Sequence, residues 1–221
     1  MSGARELIDT IRADLKPLHH QIISHRYVAA VESGKLSRES LAMFAIQQHH
    51  IIASDLRSIA LLLARHGNLP SRPYLFNVLQ GENNAFEALT TFAQALGISN
   101  EALAGSEPIP AAFAYSAFLA WLAMYGSDAE MGGALSLNFA AWGTNCATMS
   151  AALKSRYGLG ADAVAFFDLF ANLPADSDTT VAVIQRGHDR GVPAAAIARA
   201  ARMLQGYELM YWDGIAEVAG V

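Results

Sequence analysis

Two adjoining stretches, residues 108–127 and 131–153, contain no Asp, Glu, Lys or Arg. Each is long enough to cross a bilayer as a helix, so the chain either enters a membrane or buries both stretches inside a protein core. The first opens with Pro108 and Pro110, and the second carries Ser136, Asn138, Thr144, Asn145 and Ser150. Hydroxyls and amides are costly in lipid, and the short Asp128–Glu130 connection lacks the basic flanks expected of a membrane hairpin. The stretches therefore read as buried helices of a folded domain with no membrane partner.

Composition agrees. The chain has 221 residues, 53% hydrophobic and 16% charged, against roughly 45–50% and about 25% in an average soluble domain. That is too apolar for disorder, and the length predicts a single domain over 1–221 with chain enough to enclose a pocket. A net charge of −5 and the lack of any run of Lys and Arg argue against a nucleic-acid partner. The lone cysteine, Cys146, excludes a disulfide framework and fits a reducing cytoplasm. Arg5, Glu6 and Asp9 interrupt the N-terminal segment, which predicts no secretory leader.

Helical periodicity runs from end to end with no alternating stretch long enough for a sheet, so the expected class is all-α. The spacing predicts helices over 4–15, restarted or kinked at Pro17, then 18–33, 39–66, 71–96, 111–125, 129–157, 162–172, 177–189 and 193–218. Ser37 and Ser71 stand where caps belong, and Gly34, Gly67, Gly97, Gly158 and Gly191 where helices stop. Long helices with short connections make an antiparallel bundle, whose site is built from polar side chains on apolar faces.

Glu208 is the clearest such residue. It sits beside the stripe formed by Leu204, Tyr207, Tyr211 and Ile215, and is either a solvated edge residue or a buried carboxyl whose raised pKa suits proton transfer. Gln47, Gln48, His49 and His50 are four consecutive polar residues in the middle of a helix, so at least one faces inward. Tyr115, Trp121, Tyr125 and Trp142 lie on the charge-free helices as core or as aromatic walls for a planar ligand. A metal site from His49, His50, Glu82 and His188 lacks any Glu-x-x-His pair. Haem ligation by His19 or His20 would need the Gly132–Gly133 pair to admit the ring. No metal or other cofactor is expected. Cys146 has no cationic neighbour in sequence and reads as a small buried hydrophobe.

Several motifs in order resemble the TenA/PqqC family. His25 to Val28 (HRYV) with the following Gly34-Lys-Leu is similar to that family's HPFV and GxL segments, and Phe44 to Gln48 (FAIQQ) to its FxYxxQD helix. The end of the third long helix (FAQALG from Phe92), Tyr115 after a proline-containing loop, and Glu208 with Tyr211-Trp212 against the family's ExxFW motif complete the set. The resemblance implies a haem-oxygenase-like helical bundle with a central cavity, and assembly as a homo-oligomer, dimer or tetramer.

The family's chemistry carries over in part. In the thiaminase II branch the glutamate of the last helix is the acid/base group, which implies that role for Glu208. The pyrimidine-binding aspartate of that branch is replaced by Gln48, and the cysteine nucleophile falls at Asn138, with Cys146 eight residues further on. An amide cannot act as that nucleophile. Of the di-iron branch's pattern, Glu82 and His188 remain, while Leu89, Val181 and Gln185 occupy ligand positions. The cationic set around an anionic quinone precursor in the PqqC branch finds no counterpart. The expectation is a diverged member that binds a small, mostly apolar or planar molecule, with Glu208 as acid/base, Gln48 and Asn138 orienting the ligand, and Tyr115, Trp142 and Tyr211 around it. The alternatives are a non-catalytic ligand-binding or regulatory protein, thiaminase II-type hydrolysis, and metal or haem oxidation.

Overall fold

The structure is a computed structural model that describes residues 3–174 and 177–221. These residues form α1 (Ala4–Ile23), α2 (Arg26–Glu32), α3 (Arg38–His66), α4 (Arg72–Ala95), α5 (Asn100–Ala104), α6 (Pro110–Tyr125), α7 (Asp128–Tyr157), α8 (Ala165–Ala171), α9 (Asp178–Asp189) and α10 (Ala194–Ala219), with a 3-10 turn at Asp162–Val164. No strand occurs among the described residues.

Helix ends follow local chemistry. The Ser40 N–H donates to Ser37 Oγ at 3.1 Å to start α3. At the head of α7 the Glu130 N–H donates to Ser127 Oγ at 3.1 Å, and the Ser127 N–H donates back to the Glu130 carboxylate at 2.8 Å, a capping box. Gly158 stops the same helix in the left-handed region, at φ 67°. Pro17 does not restart the chain as the sequence predicts: α1 runs through it. Ala13, whose carbonyl loses its N–H partner to the proline ring, is exposed, so water can satisfy that oxygen. The interruption comes later, where His25 caps α2 by accepting the Tyr27 N–H on Nδ1 at 3.2 Å. Its Nε2 meets Asp213 of α10 at 3.1 Å.

α7 is the central mast, packed against α10, α8, α9, α2 and α1. Residues 131–138 are buried without a break, so for two turns the helix has no solvent face. Its polar residues are spent on neighbours. Asn145 Nδ2 donates to the Ile22 carbonyl at 3.1 Å, closing the end of α1, and Ser150 Oγ donates to Asp168 of α8 at 2.5 Å. Among the described residues no helix is long and apolar enough to cross a membrane. Beside α7, Phe44 of α3 stacks on Trp142 and packs against Phe167 and Trp212, with centroids 6.1, 5.5 and 6.2 Å away. This aromatic cluster sets the floor above which the polar site is built.

Candidate active site

Five helices converge on one small chamber. α3 contributes Gln48, Ile51, Ile52 and Asp55, α4 Glu82, α6 Tyr115, α7 Asn138, Phe139 and Trp142, and α10 Glu208 and Tyr211, with Phe170 of α8 closing one side. All six sequence-derived site residues, Glu208, Gln48, Tyr115, Asn138, Trp142 and Tyr211, meet here. The exposed Trp121 and Tyr125 do not; they lie on the outer face of α6.

Glu208 is 2% exposed and held by a chain of donors. Tyr115 donates its hydroxyl proton to Asn138 Oδ1 at 3.0 Å, and Asn138 Nδ2 donates to Glu208 Oε2 at 2.8 Å. Trp212 Nε1 donates to the other oxygen at 3.2 Å, and Gln205 Nε2 reaches Oε2 at 3.4 Å while also donating to the Leu137 carbonyl. Burial pushes the Glu208 pKa up to about 8, opposed by the Trp212 bond. At neutral pH the group is therefore mostly a carboxylic acid, fixed in orientation and able to give up a proton.

Two further carboxyls face the chamber. Asp55 is absent from the sequence-derived candidates, and Glu82 enters them only as a metal remnant. Burial, with Glu82 nearby, drives Asp55 well above the usual carboxylate range, and burial carries Glu82 up to about 7. Asp55 Oδ1 is buried without a hydrogen-bond partner, as is the Tyr211 hydroxyl, whose neighbouring polar side chain is Gln48. The spacing Gln48, Ile51, Ile52, Asp55 is one helix face, and that was the available signal for Asp55.

Of the polar quartet in α3, Gln48 faces the chamber. Gln47 accepts the Ile109 N–H at 2.7 Å and so ties down the proline-containing loop, His50 bonds Ser106 Oγ at 2.9 Å, and the His49 ring lies 5.1 Å from Phe86. Among the described residues no group of three or more His, Cys, Asp and Glu stands close enough to hold a metal ion. Gln185 instead accepts the Ala4 N–H at 2.8 Å, anchoring α1 on α9. Gly133 leaves no slot for a haem edge, because a Cβ there would lie 2.5 Å from Ile197 Cγ2. Cys146 is fully buried, lies outside the chamber lining, and burial pushes its thiol well up, which disfavours the thiolate a nucleophile needs.

The chamber is small, about 40 Å³. A water needs roughly 10–15 Å³ on this measure, and a benzene-sized cavity is about 150 Å³, so the space holds a few waters or one small polar group. The ring-sized space lies next door. A cleft of about 410 Å³ runs between α4, α7, α8 and the start of α9, and shares Glu82, Phe139 and Phe170 with the chamber. Ligand pockets commonly measure about 300–1,000 Å³.

A model of the TENA/THI-4/PQQC family matches residues 12–158. The chain belongs to this family. Among solved structures it is similar to a TenA homologue from Pseudomonas syringae pv. tomato, with 16% identity over 97% of this chain and 95% of that one and a TM-score of 0.81. A domain of unknown function with a haem oxygenase-like fold from Shewanella denitrificans is 15% identical, over 95% and 92%, with a TM-score of 0.78. A putative TenA-like thiaminase from Sulfolobus solfataricus is 12% identical, over 96% of each chain, with a TM-score of 0.71. At these identities the likeness shows the fold, the haem-oxygenase-like all-α bundle. No curated protein matches the chain in sequence. Within this TENA/THI-4/PQQC member, Asn138 spends its amide on holding Glu208.

Proposed function

We propose that this chain is a diverged TenA-family enzyme acting on a small, mostly apolar molecule. The body of the molecule lies in the outer cleft, its reacting group enters the chamber, and Glu208 delivers or removes the proton. The observation that carries this reading is the Glu208 carboxyl, buried yet oriented by Asn138 and Trp212 and lifted to about 8, where an acid/base group is most effective near neutral pH. Gln48 and Tyr211 orient the group being protonated, and Phe139, Phe170 and Trp142 exclude water around it.

A non-catalytic ligand-binding protein is the second reading, favoured by one observation: among the described residues no Cys, Ser, Thr or Lys lines the chamber. Native mass spectrometry of the purified protein is expected to show a bound molecule without iron, and incubation is expected to convert it. Glu208→Gln should hold the same molecule and convert it about a hundredfold more slowly or worse, the usual cost of losing a general acid. Full conversion by the variant removes Glu208 from the mechanism, and a molecule held but never converted by the unaltered protein selects the second reading.

The exposed face of α6 supports a homo-oligomer. Phe113, Trp121, Met124 and Tyr125 are 62, 48, 49 and 71% exposed, and Trp121 with Ala117 and Phe118 of α6 and Met203 and Tyr207 of α10 lines a mostly apolar groove of about 540 Å³, with Glu130 and Arg199 also in its wall. Contiguous apolar surface of this kind marks an interface, and the occupant we propose is a second copy of the chain.

A further inference from the structure

We propose that the chamber receives the ammonium group of a small primary amine, held between Asp55 and Glu82, while the neutral, apolar remainder of the molecule lies in the outer cleft. The placement of the body rests on the functional reading above; the charge preference rests on separate observations.

Asp55 is 6% exposed, faces the chamber, and its Oδ1 has no hydrogen-bond partner among the described residues. A buried acceptor left unmatched is expensive, so the fold retains an oxygen that something else must satisfy. Glu82 is equally buried and lines both the chamber and the cleft. Neither space is lined by a Lys, Arg or His among the described residues. Two buried carboxyls without a counter-charge are kept from ionising by their burial, and a cation arriving from outside can take the place of the protons they hold.

Size and surroundings select the kind of cation. A chamber of about 40 Å³ admits an ammonium head and excludes a ring or a guanidinium with its stem. Trp142, Phe139, Phe170 and Tyr115 line it, and aromatic faces stabilise a desolvated ammonium. The cleft supplies Val78, Leu169 and Phe170 for an apolar body, Asn77 and Asn84 amides and the Thr180 hydroxyl for neutral polar contacts, and no charge other than Glu82. The matching class is an arylalkyl or alkyl amine rather than a zwitterion or an anion.

Isothermal titration calorimetry of the whole protein with 2-phenylethylamine and its neutral analogue 2-phenylethanol tests this. The amine is expected to bind at least roughly tenfold more tightly than the alcohol, as a hydrogen bond to a charged group implies. Asp55→Asn, which keeps shape and removes a buried acid, should erase that preference while leaving alcohol affinity within about twofold; Glu82→Gln should act likewise, and an unchanged melting curve shows that each variant is folded. Equal affinity for amine and alcohol, or full amine affinity in both variants, overturns the proposal. So does saturable Mn²⁺ binding that depends on Asp55 and displaces the amine, which would assign the chamber to a divalent ion. Failure here with loss of conversion intact in Glu208→Gln leaves the acid/base reading standing, whereas amine selectivity without any conversion leaves the amine site and removes the enzyme.

Discussion

α6 and α7 are alike in composition and opposite in use. Neither contains a charged residue along its middle, yet α7 is buried on every side from 131 to 138, whereas α6 buries Ala112, Tyr115, Ser116, Leu119, Leu122 and Ala123 and exposes Phe113, Ala117, Ala120, Trp121 and Met124. Those exposed positions recur at spacings of three and four residues, so α6 has two apolar faces on opposite sides. The inner face meets α3 and α10 and carries Tyr115 to the chamber; the outer face is left largely open to solvent among the described residues. Lack of charge therefore has two causes in this molecule, a central position in one helix and, in the assembly proposed above, a face covered by a second copy in the other.

One substitution made twice separates them with the largest expected effect. Ala134→Asp in α7 places an unpaired carboxylate in a fully buried position, which should cost at least about 3–5 kcal/mol and leave little folded protein. Ala117→Asp on the outer face of α6 meets water, and should leave the monomer's stability within about 0.5 kcal/mol while reducing the mass seen by light scattering to that of one chain. A folded Ala134→Asp protein, or an Ala117→Asp protein that keeps its assembled mass, would break the contrast.

Volume gives a smaller version of the same test. A Cβ on Gly143 of α7 would lie 2.8 Å from the Phe170 carbonyl oxygen, so Gly143→Ala must push α8 outward, at a cost of about 1–3 kcal/mol by denaturant unfolding. Ala120→Leu on exposed α6 adds more atoms and should change stability by less than about 0.5 kcal/mol. Phe170 walls both the chamber and the cleft, so the Gly143 variant also links core packing to the site. Its ligand affinity should change, while that of the Ala120 variant should not.

How far the sequence discloses these differences depends on what each residue's environment adds. Helix positions follow from periodicity and caps, because Ser37, Ser127 and Gly158 act within a few residues of their own position. Glu208 can be chosen because it is a polar residue beside an apolar stripe, whereas Gln48, Tyr115 and Asn138 are singled out by the resemblance to the TenA/PqqC family. Asp55 sits on the same face as Gln48 but among Ser54, Arg57 and Ser58, so its surroundings read as polar until α4 and α6 are seen to cover it. Pro17 reads as a break because periodicity does not say which carbonyl faces water. The two sides of α6 are invisible for a stronger reason: an apolar residue has the same letter whether its own chain or another one covers it. Chamber size is a sum over six helices, and no segment carries it.

The smallest effect concerns the acid that α7 holds through Asn138. Glu208 and Glu82 are raised to about 8 and about 7 from an ordinary 4.5, so above pH 4.5 the native state binds more protons than the unfolded chain. Stability must then fall as pH rises through that interval, and the fall ends once the folded-state pKa values are passed. His25, His49, His50 and His66 have their pKa values lowered, chiefly by burial, which acts in the opposite sense: it destabilises the fold as pH drops below about 6.5. Between about pH 6.5 and 8 the carboxyls act alone, and unfolding by urea should show a loss on the order of 1–2 kcal/mol, given about 1.4 kcal/mol per pKa unit for a buried group. Glu208→Gln should flatten that slope and make the variant the more stable protein at pH 8.5. Ala117→Asp, on the far side of α6, should leave the slope as it is. A slope unchanged by Glu208→Gln would mean that Asn138 and Trp212 hold the ionised form after all, and that the polar centre of α7 serves a carboxylate rather than an acid.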